Sequence, residues 1–117
     1  MAAASKTAFK ILSADQWAEW QKTGTFAGAS IDLTDGYIHL STAQTAGETF
    51  EKYFAGQQNL VVVEVDLAQL GDTVKWEPSR GGALFPHVYG SIPSNAVLRS
   101  WDKVDSQLFE TLLKDSA

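Results

Sequence analysis

The stretch Asp35-Gly36-Tyr37-Ile38-His39-Leu40-Ser41-Thr42 constrains this chain more than any other. An Asp-Gly pair between two alternating runs is a strong hairpin signal, because a tight primed turn needs positive φ at its central residues. With Asp35-Gly36 as a two-residue loop, Thr34 pairs with Tyr37, Leu33 with Ile38, Asp32 with His39, and Ile31 with Leu40. Directly opposed residues share a face. One face then carries Ile31, Leu33, Ile38 and Leu40 and reads as core. The other carries Asp32, Thr34, Tyr37, His39 and Ser41. A carboxylate opposite an imidazole, flanked by a phenol and a hydroxyl, reads as a site rather than a solvated surface.

Composition narrows the choice of function. A chain of 117 residues, 44% hydrophobic, suits one compact domain over 1–117 with a single core, residues 1–6 forming a loose terminus. A net charge of -5, with nine scattered Lys and Arg, argues against binding a nucleic-acid backbone. The lack of cysteine excludes a disulfide framework, a thiolate metal site and a Cys nucleophile. Two histidines do not make a His-rich site, so no metal is expected. The N-terminus lacks the apolar core of a signal peptide, and no apolar run is long enough for a bilayer. A cytoplasmic chain with no membrane partner is expected; nothing in the sequence sets an oligomeric state.

Taken in order, Thr7 to Leu12 alternates as a first strand, with Phe9 and Ile11 on one face and Lys10 on the other. Ser13 to Gln16 has the spacing of a capping box, Trp17 and Trp20 share a helix face that we assign to the core, and Gly24 stops the helix. Phe26 to Ser30 reads as a loop. Ser41-Thr42-Ala43-Gln44 repeats the capping pattern, followed by Ala43, Ala46, Phe50, Tyr53 and Phe54 at helical spacing until Gly56. That helix start beside Ser41 and Thr42 offers an anion seat. Leu60 to Val65 reads as a central strand, Asp66 to Gly71 as one helical turn, and Thr73 to Glu77 as a short strand. Residues 78–95 hold all three prolines and read as a long loop, ordered by Leu84, Phe85, Val88, Tyr89 and Ile92. Ala96 to Trp101 is a last strand and Ser106 to Lys114 a last helix. The class is α+β.

Several residues carry candidate chemistry. His39 is either a structural imidazole held by Asp32 or a general acid whose tautomer that carboxylate fixes. Ser41 and Thr42 serve as helix caps or as ligand hydroxyls. A Ser-His-Asp nucleophile does not fit, because adjacent same-face positions on one strand stand ~7 Å apart. Arg80, with Gly81 and Gly82 after it, suits a phosphate or carboxylate, since glycines let the backbone approach and a guanidinium forks onto an oxyanion. Glu77, at a strand end beside Trp76, is either a catalytic acid with a pKa raised by burial or a structural partner of Arg80. His87 and Tyr89, two apart, share a face if extended. They either tie down the loop by hydrogen bonds or meet a ligand, Tyr89 by stacking on a planar ring and His87 at ribose or phosphate. Lys10 is expected at the solvent surface, with a place in the cleft as its other reading.

The motifs D-G-Y-I-H-L-S-T at 35–42, W-E-P-S-R-G-G at 76–82 and L-F-P-H-V-Y-G at 84–90 occur in the order of the bacterial domain of unknown function 952 family, which the chain resembles over nearly its whole length. The resemblance implies a fold similar to the ADP-ribosyltransferase superfamily, two small mostly antiparallel sheets around a cleft with flanking helices. In active members such a cleft takes NAD, using an early Arg or His, an aromatic that stacks on nicotinamide, and a Glu on a later strand. Here the positions implied are Lys10, Tyr37, Ser41, Thr42, Trp76, Arg80, Gly81, His87 and Tyr89 for binding and Glu77 with His39 for catalysis. Glu64-Val65-Asp66 and Glu77 are the acids nearest to the superfamily's Glu-x-Glu. The ligand implied is small, anionic, and related to NAD or ADP-ribose. Two other readings stand beside it: a non-enzymatic interaction module whose polar cluster orders residues 78–95, and a hydrolase using Glu77 and His39.

Overall fold

The computed structural model describes residues 6–78 and 82–115. Strand β1 (Thr7–Ser13) runs into helix α1 (Ala14–Thr23), whose start Ser13 caps by accepting from the Gln16 N–H while the Gln16 side chain accepts from Ser13. Gly24 closes the helix at φ 86°, a conformation that favours glycine. Strand β2 (Thr25–Phe26) follows, so Phe26 belongs to a short ladder rather than a loop. Helix α3 (Ala43–Tyr53) and the last helix α4 (Ser106–Asp115) flank the sheets.

The first departure lies at residues 30–35, where a hairpin arm was expected. Ser30–Asp35 forms a short helix, α2, and Ile31 and Leu33 are exposed instead of core. The glycine signal is shared between the two structures. Gly36, at φ 89°, is the left-handed cap that ends α2 and donates its N–H to the Asp32 carbonyl at 2.8 Å, and a primed turn needs the same positive φ. Asp32 decides the outcome: its carboxylate accepts the Ala29 N–H at 2.8 Å, holding the first turn of α2.

Strand β4 (Leu60–Asp66) lies between β1 and β8 (Val97–Trp101) in an antiparallel sheet, and its seven residues are almost wholly buried, as expected of a central strand. One face of it (Val61, Val63, Val65) joins Ala8, Leu12, Trp20 and Phe26 in the main core. The other (Leu60, Val62) packs with Phe9, Ile11, Phe50, Phe109 and Leu112 under α3 and α4. Trp20, fully buried, stacks on Phe26 with ring centroids 4.8 Å apart. A second sheet has the order β3 (Ile38–His39), β6 (Leu84–Val88), β5 (Val74–Pro78). Strand β7 (Ile92–Pro93) pairs with β2. Residues 82–95 are therefore largely two strands and their links, not one long loop. The apolar anchors Phe85, Val88 and Ile92 are buried, and that burial is why they pair.

The sheets part at residues 38–41. Ile38 and His39 pair with Val88 and His87 of β6, the Leu40 N–H donates to the Pro86 carbonyl at 3.0 Å, and Ser41 then exchanges two backbone hydrogen bonds with Phe9 of β1. A chain that leaves one sheet for the other opens a wedge between them. The described residues form a single α+β unit with a Cα radius of gyration of 13.2 Å, as a compact chain of about 100 residues should have.

Candidate functional site

The wedge holds a cavity of about 330 Å³. Phe9, Ile11, Leu40 and Phe85 supply apolar wall, Ile31, Tyr53 and Phe54 complete it from α2 and α3, and Lys10, Asp35, His39, Ser41, Thr49 and His87 supply the polar groups. Register explains the histidines. His39 and His87 are direct partners across β3 and β6, so both imidazoles stand on one face, with ring centroids 5.4 Å apart. On β5, Glu77 opposes Phe85 and so joins that face, while Trp76 opposes Pro86 and turns to the core.

Asp32 is the charged hub beneath the cavity. Almost fully buried, it takes the Lys10 ammonium at 2.9 Å, Nδ1 of His39 at 2.6 Å, the His39 N–H at 3.0 Å and the Ala29 N–H. Burial alone would push its carboxyl up. The Lys10 charge, with hydrogen bonds from His39, Lys10 and Ala29, outweighs that and holds it below the usual carboxylate range. Lys10 was expected at the surface and is buried, since its neighbours Ala8 and Leu12 on the same face are core. Burial pulls its pKa below the ordinary lysine value, against the opposing pull of Asp32. Its ammonium also donates to the His39 carbonyl at 3.1 Å, so it braces the site without being a free cation. Nε2 of His39 faces Asp35 at 2.9 Å.

His87 is held from the other side. Glu77 Oε1 accepts from its Nδ1 at 2.7 Å and from the Tyr89 hydroxyl at 2.8 Å. These donors place the Glu77 carboxyl below its ordinary value, His87 first and Tyr89 second, which reverses the rise expected from burial: the residue stands at an edge strand, half exposed. The same bond raises the Tyr89 phenol. Tyr37 covers the group, stacked on His87 at 4.2 Å and tilted against His39 and Tyr89 at 4.8 and 5.1 Å.

The sequence-derived residues thus divide. His39, His87, Ser41 and Lys10 line the cavity; Tyr37, Glu77 and Tyr89 brace its imidazoles. Trp76 does not join them, lining a separate groove with Lys6 and Asp66. Thr42, not Ser41, caps α3: its hydroxyl accepts the Thr45 N–H at 3.2 Å, and Thr45 accepts the Thr42 N–H, one position later than Gln44 suggested. The hydroxyl that was to seat an anion is thereby engaged in the helix. Ser41 Oγ lies 3.2 Å from Thr49 Oγ1. Arg80 and Gly81 lie outside the described residues. Asp35, Phe85, Thr49 and Tyr53 escaped sequence reasoning as site residues. Asp35 was read as a turn, and the helical spacing that put Tyr53 with Phe50 on one face gave no sign of an open cavity. Among the described residues no three His, Cys, Asp or Glu are grouped to hold a metal ion, and no helix is long and apolar enough to cross a membrane.

Fold and site together describe a small α+β protein with paired imidazoles, each held by a carboxylate, at a cavity between two antiparallel sheets. The chain belongs to the family described as protein of unknown function DUF952, whose model matches residues 11–100. It is similar to the crystal structure of protein CC0527 from Caulobacter crescentus, at 43% identity and a TM-score of 0.85, over 91% of this chain and 97% of that one. The solution NMR structure of CC0527 matches at 43% identity and a TM-score of 0.76, over 88% and 90%. No curated protein matches the sequence.

Proposed function

We propose that this cavity binds a nucleotide or NAD-derived ligand, as a cleft of the ADP-ribosyltransferase-like type would. The observation that carries the reading is the apolar-walled space of about 330 Å³ with two imidazoles and a serine hydroxyl along one side. Ligand sites run from roughly 300 to 1,000 Å³ and combine apolar walls with a few placed polar groups. Such a volume takes a base with its sugar and leaves the rest of a dinucleotide beyond the mouth. Because Asp32 neutralises Lys10, Arg80 is the cation that the sequence offers to a phosphate. Calorimetric titration with NAD, ADP-ribose and a 2′-phosphorylated dinucleotide tests this. Heat is expected with at least one, and Ser41→Trp, which fills the cavity, should abolish it. No heat with any of the three contradicts the reading. Nicotinamide release followed in the NAD sample reports transferase or hydrolase turnover directly.

One observation favours a second reading, a non-enzymatic module: Lys10 with Asp32, and Glu77 with His87 and Tyr89, already satisfy one another. On that account His87→Ala lowers the melting temperature, and no nucleotide shifts the melting of the wild type.

A further inference from the structure

The Glu77–His87 pair has a direction. Glu77 is a carboxylate, which only accepts, so the 2.7 Å contact makes Nδ1 of His87 the donor. In a neutral imidazole with Nδ1–H, the other nitrogen carries a bare lone pair. His87 is 4% exposed and lines the cavity, whereas Glu77 does not, and Nε2 makes no hydrogen bond among the described residues. Tyr37, stacked 4.2 Å from the ring, keeps it from turning. Around it stand Asp35 and His39 in the cavity wall, the ring nitrogens of His39 facing Asp32 and Asp35. The Lys10 ammonium is spent on Asp32, and the exposed Lys75 lies opposite His87 across the sheet. A bare lone pair accepts and does not donate, so it calls for a donor such as a hydroxyl, which an ionised phosphate oxygen does not supply.

We propose that His87 recognises a donor hydroxyl through Nε2, with Glu77 as its positioning residue, so that the sugar of a nucleoside rather than a phosphate fills the inner part of the cavity. This rests on the ligand cavity proposed above and names which end of the ligand enters it. It also gives the Glu77 carboxylate a role one residue removed from the ligand, through the ring that it orients.

The test is long-range proton–nitrogen NMR on the nitrogen-15-labelled full chain, whose two histidines give two imidazole patterns that His39→Gln assigns. The expected result is an Nδ1–H, protonless-Nε2 pattern for His87, with its Nε2 resonance moved by adenosine and not by inorganic phosphate at equal concentration. Glu77→Gln should lose the fixed tautomer and bind adenosine about tenfold more weakly, the size of one hydrogen bond. The wild-type tautomer measurement stands even where that variant fails to fold. An Nε2–H pattern, or phosphate moving Nε2 where adenosine does not, overturns the proposal. Adenosine heat with an unmoved His87 resonance overturns it alone and leaves the ligand cavity standing. No binding of adenosine, NAD or ADP-ribose overturns both.

Discussion

The carboxylate of Asp32 lies 2.6 Å from Nδ1 of His39 and 2.9 Å from the Lys10 ammonium, so one buried acid joins α2, β3 and β1. Removing either end of such a buried pair leaves the other uncompensated, at about 3–5 kcal/mol. Asp32→Ala strands Lys10 and unpairs the Ala29 and His39 N–H groups as well, whereas Lys10→Met leaves Asp32 with those donors. Urea unfolding should therefore rank Asp32→Ala as the more damaging. Equal losses would show that the donors contribute little.

Acid should unfold the chain in a window set by the same group. The folded Asp32 carboxyl titrates below its unfolded value of about 3.9, so its stabilisation is full above that pH and is lost as pH falls through the folded value. Glu77 shifts in the same direction, from about 4.3 in the unfolded chain. Melting temperatures measured across pH 2 to 6 should fall steeply below about pH 4 in the wild type and more shallowly in Asp32→Ala. Parallel curves would contradict the assignment.

Two glycines separate backbone strain from crowding. Gly36 and Gly28 both hold positive φ, 89° and 122°, but a Cβ on Gly36 meets open space while one on Gly28 would lie 2.9 Å from Cβ of Asp32. Gly36→Ala should cost about 1–2 kcal/mol for the conformation alone. Gly28→Ala should exceed that and should also disturb the His39 imidazole signals, because it displaces the acid that holds them.

Much of the site was readable, for reasons that differ by residue. The pairing of Asp32 with His39 was legible and occurs, yet it comes from a helical turn, because Gly36 serves a helix cap as well as a hairpin. Residues 7–16 and 60–65 were plain, since capping spacing and β-branched runs are local signals. Lys10 was misplaced because alternation cannot tell a strand with one buried face from a strand with two. The shared face of His87 and Tyr89 was legible. Glu77, however, reads from sequence as a catalytic acid or a partner of Arg80, because spacing within one segment does not show which residue of the neighbouring strand lies beside that face. The bonds from His87 and Tyr89 then lower the pKa of its carboxyl.

Tyr37 stacks on His87, an arrangement worth about 0.5–1.5 kcal/mol beyond area burial. Tyr37→Ala should lower the melting temperature and broaden or move the His87 imidazole signals, while Tyr37→Phe keeps the stack. An unmoved His87 spectrum in Tyr37→Ala would show that Glu77 alone orients the ring.

The most direct measurement is a crystal structure of this protein grown with ADP-ribose. The account predicts the sugar in the cavity between β1 and β6, with a hydroxyl oxygen about 2.6–3.2 Å from Nε2 of His87. An empty cavity at saturating ligand, or a phosphate seated against His87, would contradict it.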